Sequence, residues 1–255
     1  IIGTYPSLVG VGDAQLAVTL YANVGTSDNP EWITNFTPIY TIDQLKAVKD
    51  NLTGTYVVMN NLYESKNLSY GVLKASPTEE WEPIGVKGNE LTFRGKFYGR
   101  GFTISGIYMN GDYERAGLFG VIEGPALVTG VKTANGSVTS TNTSSSCVGG
   151  IVGAMTSSYV DGELLYPTVT ECTNGNNVKG YNAGGVCGSP YGKAIMYCSN
   201  TGSVDALNDG GGIAGESTGA TIKYCTNYGS VSSDEIAGGI VGAGSDRKST
   251  RLNSS

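Results

Sequence analysis

A glycine-rich block that returns every 27 residues constrains the fold more tightly than any other feature of this chain. Its three copies are Ala183–Gly188, Gly210–Gly215 and Ala237–Gly242. A fixed period of this size is typical of stacked structural units, each of which rests on its neighbours. The repeat therefore indicates the architecture of the chain more directly than its chemistry.

A second block precedes each glycine-rich copy, at spacings of 26 and 27 residues. It begins with a cysteine and ends with a valine, in Cys172–Val178, Cys198–Val204 and Cys225–Val231. Cys and Val are small apolar residues that suit a narrow interior. Asn or Gly occupies the fifth position, and because both tolerate a left-handed backbone we expect a sharp corner there. These fifth positions are Asn176, Gly202 and Gly229.

The composition favours short strands and tight turns over helices. Of the 255 residues, 39 are Gly and only 15% are charged, and Gly, Thr, Asn and Tyr suit strands and their corners. A unit of this length suits one coil of two or three strands, each pairing in parallel with its equivalent about 4.8 Å away. We therefore predict an all-β fold, a right-handed parallel β-helix of about six or seven coils.

Stacking of equivalent positions predicts columns of like side chains. One interior column of aliphatic residues should contain Ile151, Val186, Ile213 and Ile240. An amide ladder, in which each side chain binds the next, should contain Asn174, Asn200 and Asn227. Ile195 and Cys198 are three residues apart, so a bend must lie between them if both point inward.

Three segments divide the chain. Residues 1–36 are the tail of a preceding domain or an irregular first coil, 37–245 form the β-helix, and 246–255 break the repeat. At its start, Thr41 and Gln44 have the spacing of a capping box, which predicts a short helix within Tyr40–Asp50 that closes one end of the stack. An insertion near Gly162–Tyr166 should project as a surface loop.

The two ends have features of an assembled reading frame. The chain starts at Ile1, and its basic ending Asp246–Ser255 resembles the translation of a sequencing-library adapter. We therefore expect a piece of a longer protein from environmental DNA and leave 246–255 out of the fold prediction.

The charge pattern excludes several classes of function. The net charge is −6 and the chain has no histidine, so the commonest general base and metal ligand is missing. No basic run precedes residue 246, which disfavours nucleic acid as a partner. No apolar stretch approaches the roughly 20 residues of a membrane helix, so no membrane insertion is expected.

The five cysteines do not predict a metal or disulfide framework. Their number is odd and no CxxC pair occurs. Stacked Cys198 and Cys225 would come close, but their parallel side-chain directions pair badly in a disulfide. We predict reduced, buried cysteines that act as small hydrophobes.

Carboxylates are the remaining candidates for chemistry. Parallel β-helices can host enzymes that cleave glycans with paired acids, and the candidate acids here are Asp205, Asp209, Asp234 and Glu235. They fall near corners, where solvated acids are ordinary. Gly210–Gly215 lacks the following Lys-Ser/Thr of a phosphate loop. The sequence identifies no catalytic, cofactor-binding or metal-binding residue, and the binding residues stay unknown.

Several motifs together resemble the GLUG-type repeat region of bacterial surface proteins. They are the Gly-Gly-Ile blocks, the Cys-x-Asn-x-Gly-x-Val blocks, Gly117–Gly120, Trp81–Gly85 and Phe93–Ile107. The resemblance implies a right-handed parallel β-helix in large secreted or surface proteins, including adhesin-like proteins. Similar repeats lie beside the catalytic domain of immunoglobulin-A-cleaving metallopeptidases. The chain departs from the family pattern at Tyr98 and Asn60–Leu62, where acidic residues are usual.

These observations favour a non-catalytic role. We expect a rigid stalk or adhesive surface of a bacterial extracellular protein, with a host or environmental glycan or protein as partner and no cofactor. The alternative is an accessory β-helix of a secreted peptidase or glycan-active enzyme whose catalytic residues lie elsewhere. A weaker alternative is a β-helical enzyme that itself cleaves glycans.

Overall fold

The computed structural model of this protein describes residues 19–63, 80–86, 91–192 and 194–244. These residues are nearly all in short strands and their corners. The N-terminal part contains β1 (Ala22–Asn23), β2 (Trp32–Ile33), β3 (Thr37–Ile39), α1 (Ile42–Lys46), the 3-10 helix η1 (Ala47–Asp50), β4 (Thr55–Val58) and β5 (Leu62–Tyr63).

Five complete coils of five strands follow. Coil 1 comprises β6 (Lys96–Tyr98), β7 (Thr103–Ser105), β8 (Tyr108–Gly111), β9 (Arg115–Ala116) and β10 (Phe119–Glu123). Coil 2 comprises β11 (Leu127–Thr129), β12 (Lys132–Ala134), β13 (Ser137–Ser140), β14 (Cys147–Gly149) and β15 (Val152–Thr156). A hairpin of β16 (Ser158–Val160) and β17 (Glu163–Leu165) separates coil 2 from coil 3.

The last three coils contain the sequence repeats. Coil 3 comprises β18 (Thr168–Thr170), β19 (Thr173–Asn174), β20 (Asn177–Gly180), β21 (Asn182–Gly184) and β22 (Cys187–Pro190). Coil 4 comprises β23 (Ala194–Met196), β24 (Ser199–Asn200), β25 (Val204–Ala206), β26 (Asp209–Gly211) and β27 (Ala214–Ser217). Coil 5 comprises β28 (Thr221–Lys223), β29 (Thr226–Asn227), β30 (Val231–Ser233), β31 (Ile236–Gly238) and β32 (Val241–Gly244).

Equivalent strands of successive coils pair in parallel and form five sheets, here named S1 to S5 by the order of their strands within a coil. S1 has seven strands because β4 and β3 extend it, and S2 has six because β5 extends it. The predicted parallel β-helix is confirmed, and its right-handed sense stays a prediction. The expectation of two or three strands per coil is wrong, because corners divide each coil into five short strands.

The coils differ in length where the chain bulges outward. Their first strands begin at residues 96, 127, 168, 194 and 221, which gives spacings of 31, 41, 26 and 27 residues. The longest spacing contains the β16–β17 hairpin, where Tyr159 is 76% exposed. The predicted surface insertion is therefore confirmed as an antiparallel hairpin, whose extra residues leave the stacking unchanged.

The predicted interior columns are confirmed. Val178, Val204 and Val231 are in register along S3. In the aliphatic column, the backbone N–H of each residue donates to the next coil, from Ile151 to Val186, on to Ile213 and then to Ile240. The interior is thus a continuous apolar core along the axis, and it gains the free energy of burying these side chains.

The amide ladder is also present, and it has a direction. Asn174 Nδ2 donates to Asn200 Oδ1 at 2.8 Å, and Asn200 Nδ2 donates to Asn227 Oδ1 at 2.9 Å. Thr133 Oγ1 occupies the same position in coil 2 and donates to Asn174 Oδ1 at 2.9 Å. A Cβ at Gly185 would lie 2.3 Å from Asn200 Cγ. The glycine block therefore leaves the space that the asparagine ladder occupies.

The left-handed corner lies elsewhere than the sequence predicted. Asn176, Gly202 and Gly229 have no left-handed φ, whereas Tyr197 and Tyr224, between S1 and S2, have φ of 53° and 55°. This corner supplies the predicted bend that lets Ile195 and Cys198 both point inward. In coils 4 and 5 the glycine at the fifth position is needed for space instead, since a Cβ at Gly202 would lie 1.9 Å from the Asn176 carbonyl oxygen and one at Gly229 would lie 1.9 Å from the Gly202 carbonyl oxygen.

The three inner strands of S4 form a buried middle layer between S3 and S5. All residues of β14, β21 and β26 are buried. A Cβ at Gly180 in S3 would meet Val148 of S4 at 2.2 Å, and one at Gly188 in S5 would meet the Val148 amide nitrogen at 2.4 Å. The glycines thus allow the S4 and S5 backbones to pack closely and leave room in S3 for the Val148 side chain.

The predicted cap is confirmed at the N-terminal end. Thr41 Oγ1 accepts a hydrogen bond from the Gln44 N–H at 3.2 Å, and Gln44 Oε1 accepts from the Thr41 N–H. Leu45 and Val48 are fully buried in the main core. The domain boundary at residue 37 stays a prediction, and 246–255 lie outside the described residues. Within the described ranges, no helix is long and apolar enough to cross a membrane.

Candidate binding groove

The N-terminal hairpin packs on the outside of the solenoid. Ala22 of β1 forms a second apolar cluster with Val57, Met59 and Tyr98 on the outer face of S1. Asn23 Oδ1 accepts hydrogen bonds at 3.0 Å from the N–H groups of Gly25 and Glu31, which holds the turn of the hairpin. The hairpin is therefore anchored over β4 and coil 1 by apolar contacts, and its turn is held by its own asparagine.

A groove of about 680 Å³ separates this hairpin from the corner between S1 and S2. Trp32 and Asn23 line it from the hairpin, and Arg100, Gly130 and Glu171 line it from three successive coils. The size falls in the range of about 300–1,000 Å³ that is usual for small-ligand sites. The groove thus combines an aromatic ring, a cation and a carboxylate along one edge of the solenoid.

Backbone geometry places the polar side chains at this edge. Arg100 and Glu171 have left-handed φ of 53° and 56°, and Gly130 lies between them with φ of 65°. The Gly101 N–H donates to the Gly130 carbonyl at 2.7 Å, and the Gly130 N–H donates to the Thr170 carbonyl at 3.1 Å. Non-glycine residues in this region carry strain, which often accompanies functional positions.

Neighbouring groups hold Arg100 and Tyr98 in place. The Arg100 guanidinium lies 5.6 Å from the centroid of the Phe102 ring, and its Nη1 lies 3.8 Å from Met59 Sδ. Burial and then the Glu31 carboxylate raise the pKa of Tyr98, so its phenol stays neutral around pH 7. The groove therefore offers guanidinium and carboxylate groups beside a neutral tyrosine.

The same corner continues as an exposed tyrosine stack. The rings of Tyr197 and Tyr224 are 4.9 Å apart between centroids and inclined by 11°. They are 57% and 63% exposed. Their stacking follows from the register of S1, which places equivalent residues one coil apart.

The predicted acids do not converge on one site. Asp205 binds Lys179 at 2.6 Å, and this hydrogen bond lowers the pKa of its carboxyl group. Asp209 is buried in S4 and accepts from Asn208 Nδ2 at 2.9 Å. Burial, followed by the Glu216 charge, raises the pKa of Asp209. Both residues lie in strands and not in corners, because each coil has more strands than predicted.

The other two acids lie in the last coil. Asp234 and Glu235 are exposed between S3 and S4. Their backbone N–H groups are bound to the Ala206 carbonyl and to Ser233 Oγ. In the part of the chain that the structure describes, no group of three or more His, Cys, Asp or Glu residues could hold a metal ion.

The cysteines are reduced and buried, as predicted. Cys198 Sγ donates to the Met196 carbonyl at 3.2 Å, and Cys225 Sγ donates to the Lys223 carbonyl at 3.3 Å. A hydrogen bond with Cys172, together with burial, raises the pKa of Cys198. Burial is the largest cause of the raised pKa of Cys187. These thiols are therefore poor nucleophiles, because the thiolate is the reactive form.

No protein-family profile matches the chain, and no curated protein matches it significantly. Among solved structures, the chain is similar to a candidate immunoglobulin A1 protease from Bacteroides ovatus, with a TM-score of 0.66 and 21% identity. The match covers 89% of this chain and 65% of that one, so the chain spans less than two thirds of its neighbour's length. At this identity, the similarity shows that the two chains share a fold.

Proposed function

We propose that this chain is a non-catalytic, rigid segment of a secreted or surface-anchored bacterial protein with GLUG-type repeats, and that it acts as a stalk or adhesive surface. The observation that carries the proposal is the register of all five sheets, which continues without a break through five coils. Backbone hydrogen bonds run along the axis on every side of the core, so the segment resists bending. Such a segment holds a surface, or a neighbouring domain, at a fixed distance.

The state of the acids supports a non-catalytic role. Asp205 is bound to a lysine, and Asp209 is bound to an asparagine inside the middle layer. A glycan-cleaving pair requires one acid and one base or nucleophile on either side of an accessible bond. Neither carboxylate has such a partner across an open cleft among the described residues.

A second candidate function is that of an accessory segment beside a peptidase domain. The similarity to the Bacteroides ovatus protein favours it, since that protein is a candidate immunoglobulin A1 protease and is longer than the matched region. In this role the β-helix positions a protein substrate for chemistry carried out elsewhere.

Cleavage assays test both functions. The full chain is incubated with immunoglobulin A1 and, separately, with a panel of polysaccharides, and products are followed by mass spectrometry. We expect no cleavage of either. Binding of immunoglobulin A1 without cleavage, measured by biolayer interferometry, would favour the accessory role. Cleavage that Asp209→Asn abolishes would overturn the non-catalytic proposal.

A further inference from the structure

We infer that the groove between the N-terminal hairpin and the S1–S2 corner binds a neutral saccharide. Trp32 provides the stacking platform, and Arg100 and Glu171 provide hydrogen bonds at opposite ends. The inference rests on the proposed function as a non-catalytic surface and deepens it by naming the site and the class of ligand.

Trp32 is the first argument for a ligand. Its residue surface is 52% exposed, whereas that of Trp81 is 2% exposed and the Trp81 indole N–H donates to the Leu118 carbonyl at 3.2 Å. Trp32 also lines the groove, so its ring is open to a ligand at a concave site. The apolar C–H face of a sugar ring packs on such a ring, which makes Trp32 a suitable platform.

The charges of the groove select a neutral ligand. Arg100 offers several N–H donors and Glu171 offers only acceptor oxygens, and both line the same groove. A sugar hydroxyl both donates and accepts, so it can bind either group. An anionic ligand would meet Glu171 and a cationic ligand would meet Arg100, whereas anion sites usually gather several cations.

Gly130 makes the space for the ligand. It lies between Arg100 and Glu171, which are two coil spacings, or about 10 Å, apart along the axis. The corner positions of the following coils carry side chains, among them Glu171 and Tyr197, so the left-handed corner itself does not demand glycine. A Cβ at Gly130 would lie 3.0 Å from the Arg100 amide nitrogen and 3.4 Å from that of Gly101, so a side chain here would press on the backbone that carries Arg100.

Arg100 is oriented before the ligand arrives. Phe102 and Met59 contact the guanidinium, at 5.6 Å from the Phe102 ring centroid and 3.8 Å from Met59 Sδ. Fixing a flexible side chain in advance reduces the entropy lost on binding. The hairpin that carries Trp32 is likewise anchored, by its apolar cluster on S1.

The test is a titration of the full chain with four neutral probes, namely gluco-, xylo-, manno- and galactotetraose. The acidic probe for comparison is tetragalacturonate. Tryptophan emission reports on the groove because Trp32 is exposed and Trp81 is buried, and calorimetry confirms each affinity. We expect at least one neutral tetraose to bind and to shift the emission, and tetragalacturonate to bind more weakly.

Three variants and one control locate the site. Binding should weaken in each of the three variants Trp32→Ala, Gly130→Asn and Glu171→Gln, and by at least about tenfold in the first two. Asn is chosen at position 130 because it adds a side chain and tolerates a left-handed φ. Tyr228→Ala removes an aromatic ring that is 75% exposed and does not line the groove, and it should leave the affinity unchanged.

Three outcomes would overturn the inference. The first is that no neutral tetraose binds at about 10 mM, a concentration at which even a site with a millimolar Kd would be visible. The second is that the acidic probe binds more strongly than the neutral ones. The third is that the affinity is unchanged in both Trp32→Ala and Gly130→Asn. The cleavage assays are independent of these measurements. If the groove binds no saccharide, the proposal of a non-catalytic stalk is unaffected, and if the chain cleaves a substrate, only the non-catalytic proposal is overturned.

Discussion

At the scale of single residues, two buried asparagines behave in opposite ways. Asn200 uses its whole amide: Nδ2 donates to Gly202 and Asn227, and Oδ1 accepts from Asn174 and Gly202. Asn176 is equally buried, yet no partner among the described residues binds its Oδ1 or Nδ2. A buried amide stabilises a fold only when it is hydrogen-bonded. The ladder asparagines and Asn176 should therefore respond differently to substitution.

Replacing Asn200 by Ala should destabilise the protein by about 3 kcal/mol, because several buried groups lose their partner at once. The midpoint of urea unfolding, followed by circular dichroism, measures the loss. Asn177→Ala is the matched control, since exposed Asn177 also joins coils 3 and 4 by accepting from Ser203, and it should change stability by less than about 0.5 kcal/mol. Equal losses in the two variants would contradict the ladder as the cause.

Replacing Asn176 by Gly should stabilise the protein by about 1 kcal/mol. The change removes two buried polar atoms without partners and makes the site match Gly202 and Gly229, its equivalents in the next two coils. The gain exceeds the extra backbone entropy of glycine, which is about 0.5–1 kcal/mol. A lower unfolding midpoint for Asn176→Gly would show that its amide has a stabilising contact.

At the scale of elements, the glycines of the repeated blocks act through close contacts and not through turn conformation. Gly188→Ala should cost about 3 kcal/mol, because its Cβ would lie 2.4 Å from the Val148 amide nitrogen and 2.6 Å from the Cys147 carbonyl carbon. Backbone atoms cannot yield as a flexible side chain can. Gly239→Ala is the control, since no atom lies within 4 Å of its Cβ. Unfolding midpoints compare the two, and a similar effect would refute close layer packing as the cause.

The elements also show how far the sequence predicts the fold. Columns such as Val178–Val204–Val231 were predictable because a fixed period forces equivalent residues into register. The middle layer was not predictable, because the period alone does not indicate that S4 packs between S3 and S5. The left-handed corner was misplaced for a related reason: glycine at position 202 indicates either a special φ or a close contact, and only the three-dimensional contacts distinguish the two.

The groove lay beyond the sequence for a different reason. It joins Trp32 to Glu171, which are far apart in the chain, and Trp32 lies before the first repeat. No periodic pattern covers such a contact. A tryptophan in a segment without repeats was the one signal in the sequence, and only the packing of the hairpin on S1 shows that this residue lines a groove.

At the scale of the whole molecule, the ionisable groups predict a flat dependence of stability on pH around neutrality. The chain has no histidine, and the pKa of the buried thiols of Cys187 and Cys198 is raised above the ordinary value of about 9. A raised folded pKa stabilises the fold below the unfolded pKa and loses this contribution as pH rises. The thermal midpoint should therefore stay level between about pH 6 and 8 and fall above about pH 9.

Two carboxyl groups affect stability at acidic pH, and one cysteine variant tests the source of the alkaline fall in the thermal midpoint. The lowered pKa of Asp205 stabilises the fold above its ordinary value of 3.8 and is lost as pH falls, whereas the raised pKa of Asp209 acts in the opposite direction. Cys198→Val, which introduces the residue found at the equivalent Val131, should reduce the alkaline fall. Thermal scans of both proteins measure this, and an unchanged alkaline slope would remove the thiol as its source.

The direction of the amide ladder has a last consequence, which concerns how such chains change over time. Each asparagine presents the same donor to the coil after it and the same acceptor to the coil before it. Loss of the 27 residues 194–220 would bring Asn174 against Asn227, Val178 against Val231 and Cys172 against Cys225, so every interior column would close again. Unequal recombination between repeats can thus shorten or lengthen the rod in whole steps, and its reach can evolve without any redesign of the interior.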